Sequence, residues 1–162
     1  MSLVLYRIDD RLIHGQVVVG WGQPKNVGFI VLVDDAVAAS DWEQELYRMG
    51  VPPGMQVYFD STTGAISTIS RYRADIRPGI LLTGDVATMR KLADAGVVES
   101  VNVGGLHFRT GRTQRLRYVF LTPGEEAELR AIAATGVPVY AQDVPGAPCV
   151  PLADMLMKEH GA

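Results

Sequence analysis

Cysteine is nearly absent from this chain of 162 residues: Cys149 stands alone. A lone thiol closes no disulfide within the chain, which points to a reducing compartment. Cys149 sits between Pro148 and Pro151 with no histidine near it in sequence, and reads as an incidental thiol. An excess of positive charge is missing too. The formal net charge is −3, which argues against nucleic acid as a partner. Long apolar runs are lacking. The longest clean one, 27–33, has the length of a strand and is far too short to span a bilayer. The charged residues from Arg7 to Arg11 interrupt any signal-like apolar segment at the N-terminus. No CxxC or HxxxH spacing occurs, so no metal site is expected. Gly20-Trp21-Gly22 follows helix-like residues and lacks a third glycine, so it is no dinucleotide fingerprint.

What is present is a chain that folds. Hydrophobic residues make up 48% and charged residues 20%, enough apolar surface to fill a core in one domain over 1–162. Apolar runs of strand length recur at 3–8, 27–33, 55–59, 79–83, 99–103, 117–121 and 137–141. Most are continuous, as in strands covered on both faces. Helical spacings lie between them. Val17 and Trp21 share a face. So do Trp42, Leu46 and Met49, before a stop at Gly50. Ile66 and Ile69 mark a third helix, Val86 to Ala93 a fourth and Leu129 to Ala133 a fifth. The fifth has the plainest start, with Thr122 as cap, Pro123 in the first turn and Glu125 as capping-box partner. A short helix closes the chain over Pro151 to Lys158. This alternation predicts right-handed βαβ crossovers and a three-layer α/β/α sandwich around a mainly parallel sheet of six to seven strands.

Three histidines are candidates for chemistry. His160, near the C-terminus, is expected to be solvated. His107 follows the Gly-rich turn Asn102-Val103-Gly104-Gly105. His14 follows the first strand in Arg7-Ile8-Asp9-Asp10-Arg11-Leu12-Ile13-His14-Gly15-Gln16-Val17. In a parallel sheet both His14 and His107 project from carboxyl ends of strands, where ligands bind, and Thr83-Gly84-Asp85 ends a third strand on that edge. A helix starting at Gly15 offers unpaired N–H groups to an anion. Arg11 adds a bidentate fork suited to a phosphoryl group. Gly15 lets backbone come close, and Asp9 or Asp10 can hold one imidazole nitrogen and leave the other as a nucleophile. The bland alternative pairs Arg11 with Asp9 or Asp10 and leaves His14 as a helix cap. On residue chemistry alone the two stand level. The Asn102–Gly105 turn is either an anion nest or a tight turn. Trp21 and Trp42 read as core or groove-lining residues. Arg112, Arg115 and Arg117 read as a solvated strand edge or a face for an acidic partner.

The His14 segment resembles the phosphorylation-site motif of IIB components of the mannose/fructose/sorbose family of the bacterial phosphoenolpyruvate-dependent sugar phosphotransferase system. Asn102-Val-Gly-Gly-Leu-His-Phe-Arg109 with Gly111-Arg-Thr-Gln114 resembles a second family signature, and Gly136 to Pro145 the closing strand and turn. Val19 and Gly20 depart from the small hydroxyl residues frequent there, and Leu106 from a frequent methionine. The resemblance implies a phosphoryl carrier. It takes the group from a phosphohistidine of a IIA partner onto Nδ1 of His14 and passes it to a sugar during uptake through membrane components IIC and IID. Arg11, Gly15 and Gln16 would hold the phosphoryl group and Asp10 would order the loop, with Thr83 and Gly84 a looser match. No cofactor is implied beyond the phosphoryl group carried on His14. No fused IIA domain is expected. The implied location is the cytoplasm, at the inner face of the membrane through IIC and IID, and base rates allow a homodimer. A phosphorylation-dependent regulator uncoupled from transport is the competing function. A hydrolase using His14 as base is disfavoured, because no nucleophile or metal set accompanies it.

Overall fold

A computed structural model describes residues 2–157. His160 and the last residue of the expected tail helix, Lys158, lie outside them. The chain forms β1 (Leu3–Ile8), a π-helix (Gln16–Trp21), β2 (Phe29–Val33), α1 (Asp35–Ala38), α2 (Asp41–Met49), β3 (Gln56–Asp60) and α3 (Thr62–Arg73). There follow β4 (Gly79–Thr83), α4 (Val86–Asp94), β5 (Val101–Val103), β6 (Thr113–Leu116), β7 (Val119–Leu121), α5 (Pro123–Ala134), β8 (Val139–Ala141), β9 (Val150–Pro151) and α6 (Leu152–Met157).

Seven strands make one sheet in the order β3-β2-β4-β1-β5-β8-β9, parallel except where β9 runs against β8. Successive side chains of a strand face opposite layers, and β2 shows it. Phe29, Val31 and Val33 enter the core beneath α3 to α6, whereas Ile30 and Leu32 enter a second core with Val17, Val18 and Trp21 of the π-helix. All five residues are buried, so the run is continuous rather than alternating. The architecture is thus the expected α/β/α sandwich around a mostly parallel sheet.

The apolar run at 117–121 does not join that sheet. Its β7 pairs with β6 as a separate antiparallel ribbon, and the seventh place goes to β9. The ribbon carries the arginine series, which is no bare edge. Arg112 grips Glu125 through two bonds of 3.0 and 2.7 Å, and Arg115 grips Glu126 at 2.7 and 3.1 Å, both at the start of α5. The sequence signals for α5 itself are local and act as read. Thr122 Oγ1 accepts the Glu125 N–H at 3.0 Å, and Glu125 Oε1 accepts the Thr122 N–H at 2.8 Å.

Candidate functional site

The central strand β1 ends between β4 and β5, and its carboxyl edge carries the candidate site. Asp9 N–H is tied to Thr83 O at 2.9 Å, and Asp10 N–H to Gly105 O at 2.8 Å. The loop is therefore hung from both neighbouring strands. Leu12 takes φ +61, a left-handed backbone that costs a residue other than glycine about 1–2 kcal/mol. The π-helix follows, with Gly22 N–H bonded five residues back to Val17 O at 2.9 Å. Such wide turns concentrate at functional sites.

The two aspartates divide two histidines between them. Asp9 Oδ2 lies 3.2 Å from His14 Nε2. The two atoms are close, but the contact does not meet the geometry of a hydrogen bond. Asp10 Oδ1 lies 2.6 Å from His107 Nδ1, and its Oδ2 accepts the His107 N–H at 2.7 Å. Asp9 is wholly buried and also 3.2 Å from the buried Arg7. Burial pushes its carboxyl up, but His14 and Arg7 pull harder, and the balance lies below the ordinary value.

Arg7 is the residue the sequence reading left without a role. Its side chain points from β1 into the apolar layer under Trp21, 5.2 Å from the ring. Asn102 Oδ1 at 2.5 Å, Gln142 O at 2.9 Å and Asp143 O at 3.1 Å complete its shell. Burial lowers its pKa and Asp9 works against that. A lone charge inside the run Leu3 to Ile8 was the available signal. Asp143 was missed as well. Its Oδ1 accepts Gln16 Nε2 at 2.6 Å, its Oδ2 meets Arg117 at 3.1 Å, and its carbonyl accepts the Trp21 indole N–H at 3.0 Å.

Of the expected anion-binding residues, Arg11 is half exposed and donates to Gln16 Oε1 at 2.6 Å. Gly15 is exposed, with open space where a β-carbon would stand. The supply of free N–H groups is shorter than expected, because His14 consumes three. Its Nδ1 accepts Gln16 N–H at 3.3 Å, and its carbonyl accepts Val17 and Val18 N–H at 3.0 and 2.9 Å. Thr83 is buried and turns its hydroxyl to Asp85 O at 3.3 Å. Gly84 lies under Leu12, whose Cδ2 would be 2.7 Å from an added β-carbon. Both support the loop from below. The Asn102–Gly105 turn packs on Arg7 and Asp9, so it serves as a close-fitting turn.

The family model for the sorbose-subfamily IIB component of the phosphotransferase system matches residues 3–162. The chain belongs to this family. It is 36% identical over 149 residues to the N-acetylgalactosamine-specific phosphotransferase enzyme IIB component 1 of Escherichia coli (strain K12), covering 90% of this chain and 92% of that protein. The mannose-specific EIIAB component of the same organism is 31% identical over 159 residues, 98% of this chain. This IIB chain spans 49% of that longer protein. Among crystal structures, the N-acetylgalactosamine-specific IIB component 1 from Escherichia coli superposes with a TM-score of 0.85 at 34% identity, over 91% of this chain and 97% of that one. The IIBSor domain of the sorbose permease from Klebsiella pneumoniae gives 0.87 at 29%, over 96% of each.

Family membership makes the chain a IIB component of a sugar phosphotransferase system. It does not make His14 the carrier, and that expectation is corrected. The implied nitrogen, Nδ1, already accepts the Gln16 N–H, while Nε2 is turned onto the Asp9 carboxylate. The nitrogen the resemblance implied is therefore not offered as a free lone pair to a phosphoryl group. The phosphohistidine enzyme mechanism, and the phosphoryl group as a covalent passenger on His14, fall with it. The other covalent carrier among such side chains would be a thiol, and Cys149 is exposed rather than built into a buried site. No helix among the described residues is long and apolar enough to cross a membrane.

Proposed function

We propose that the chain works as one IIB domain over 1–162 and handles a phosphoryl group at the carboxyl edge of β1. The group comes from a IIA protein and goes on to a sugar entering through IIC and IID, with the chain held peripherally at the cytoplasmic face by those partners. The observation that carries this reading is the pairing of an exposed arginine with open backbone: Arg11, braced by Gln16, beside Gly15. A phosphoryl group spreads its charge over three oxygens in transfer, so catalysis is largely positioning and charge. Arg11 supplies the fork and Gln16 orients it. His14 forms the wall of the site and Asp10 fixes the loop.

The test is incubation with phosphoenolpyruvate, the general phosphotransferase proteins and a cognate IIA. One phosphoryl group per chain is expected, and mass spectrometry of the labelled protein assigns the carrier residue independently. A chain that gains no label overturns the function. An Arg11→Ala variant that labels at the parent rate overturns the site.

A further inference from the structure

Helix α2 is mounted the wrong way round for a core element. Trp42, Leu46 and Met49 lie on one face of it and are 67, 55 and 75% exposed. The face turned inward is held instead by Gln44, whose amide donates to Val37 O and Ala38 O at 3.0 and 3.1 Å, and by Tyr47 against Phe59. The apolar stripe therefore contributes little to holding this helix down. It borders a groove of about 580 Å³ whose far wall is Leu12 and Ile13, the two residues just before His14. A large apolar patch with polar surroundings marks a contact surface, and a central tryptophan is a common anchor of one.

Charge says what kind of partner fits. Around the stripe, residues 34–50 carry the acids Asp34, Asp35, Asp41, Glu43 and Glu45 against one cation, Arg48. Asp34 and Glu43 line the groove itself. A basic segment bearing a large apolar side chain complements that pattern, and complementary charge speeds and orients docking. Cytoplasmic loops of polytopic membrane proteins carry an excess of Lys and Arg. Resting on the function proposed above, we infer that the α2 face docks a basic cytoplasmic loop of the membrane component, bringing the β1 edge to the sugar. The contact is transient, so a small interface is enough.

The test uses the full chain carrying Trp42→Glu with Leu46→Glu, and a separate Glu43→Lys with Glu45→Lys variant. Ile76→Glu is the control, since Ile76 is 99% exposed and lies in the loop before β4, at the amino ends of the parallel strands. Melting curves and circular dichroism confirm that each folds. Three quantities are read: labelling by IIA in solution, sugar phosphorylation with vesicles carrying IIC and IID, and co-sedimentation with those vesicles at low and high salt. Labelling is expected to stay within about twofold of the parent for all variants. Sugar phosphorylation by both docking variants is expected to fall at least tenfold at low protein concentration and to recover as concentration rises. Co-sedimentation of the parent is expected to weaken with salt, and that of the charge-reversed variant to be weak throughout.

Unchanged coupling to the vesicles overturns the proposal. An equal loss of IIA labelling overturns it in favour of the donor as occupant. A change in the parent's mass by light scattering on introducing Trp42→Glu overturns it in favour of a second copy. A parent that takes no label from IIA sinks the functional reading instead, and co-sedimentation then still decides the docking.

Discussion

Asp9 holds His14 from below: its buried Oδ2 stands 3.2 Å from the imidazole Nε2 and equally 3.2 Å from the Arg7 guanidinium. One oxygen thus links an arginine sealed in the fold to a histidine at the rim of the site. Asn102, Gln142 and Asp143 fix Arg7 in turn, so strand ends far apart in sequence set the pose of the ring.

Removing that carboxylate should be costly. Asp9→Asn leaves Arg7 buried without its counter-charge, and breaking such a pair by losing one partner costs about 3–5 kcal/mol. Urea denaturation should show a lower midpoint with an unchanged slope. A loss below about 1 kcal/mol would mean that the carbonyls of Gln142 and Asp143 suffice for Arg7.

Acid should unfold the protein through depressed carboxyls. For Glu125, burial pushes the pKa up, but Arg112 and the Thr122 N–H outweigh it, leaving the value below normal. Asp9 is depressed as well, and so is Asp35, where hydrogen bonds from the Thr62 N–H and hydroxyl act. A pKa lowered by folding adds stability that is present above the unfolded value, near 4, and is lost as pH falls through the folded value. Denaturant midpoints should therefore decline from about pH 4 downward. Glu125→Gln should flatten that limb, which a pH series of melts on both proteins checks.

Two glycines near the site should answer the same substitution in opposite ways. A β-carbon on Gly104 would collide with the Arg7 guanidinium, so Gly104→Ala should cost about 1–3 kcal/mol by overpacking. Gly15 has φ −54 and open space, so Gly15→Ala should leave stability level or raise it by up to about 1 kcal/mol. The same methyl fills the space proposed for the phosphoryl group, so IIA-dependent labelling should slow. Parallel melts and labelling rates separate the two effects.

Arg11 should matter to transfer and not to folding. Its side chain is 48% exposed, so Arg11→Ala should move stability by no more than about 0.5 kcal/mol. Labelling should fall at least tenfold, with Arg11→Lys recovering only part, because an ammonium lacks the planar fork. Equal rates in all three proteins would remove Arg11 from the site.

Much of the framework was legible because its causes are local. Strand-length apolar runs gave six of the seven strands of the sheet, and Thr122 with Glu125 gave the start of α5 within three residues of each other. The charged loop between a strand and a helix, at the end of β1, was legible for the same reason.

Its wiring was not legible, because the partners meet only when the sheet closes. Asp9 and Asp10 are neighbours, and either could have backed His14. The pairing was decided by the turn after β5, which brings His107 to Asp10 across 97 residues. Asp143 reaches Gln16 across 127. The spacing of Trp42, Leu46 and Met49 fixes that they share a face of α2, as a period of 3.6 residues requires. Which way that face points was set by Gln44 and Tyr47 finding better partners inside. Sequence by itself determined most of the elements and set a charged loop at the end of β1. Tertiary structure decided which charge neutralises which, since in a buried site that choice depends on distance through space and not along the chain.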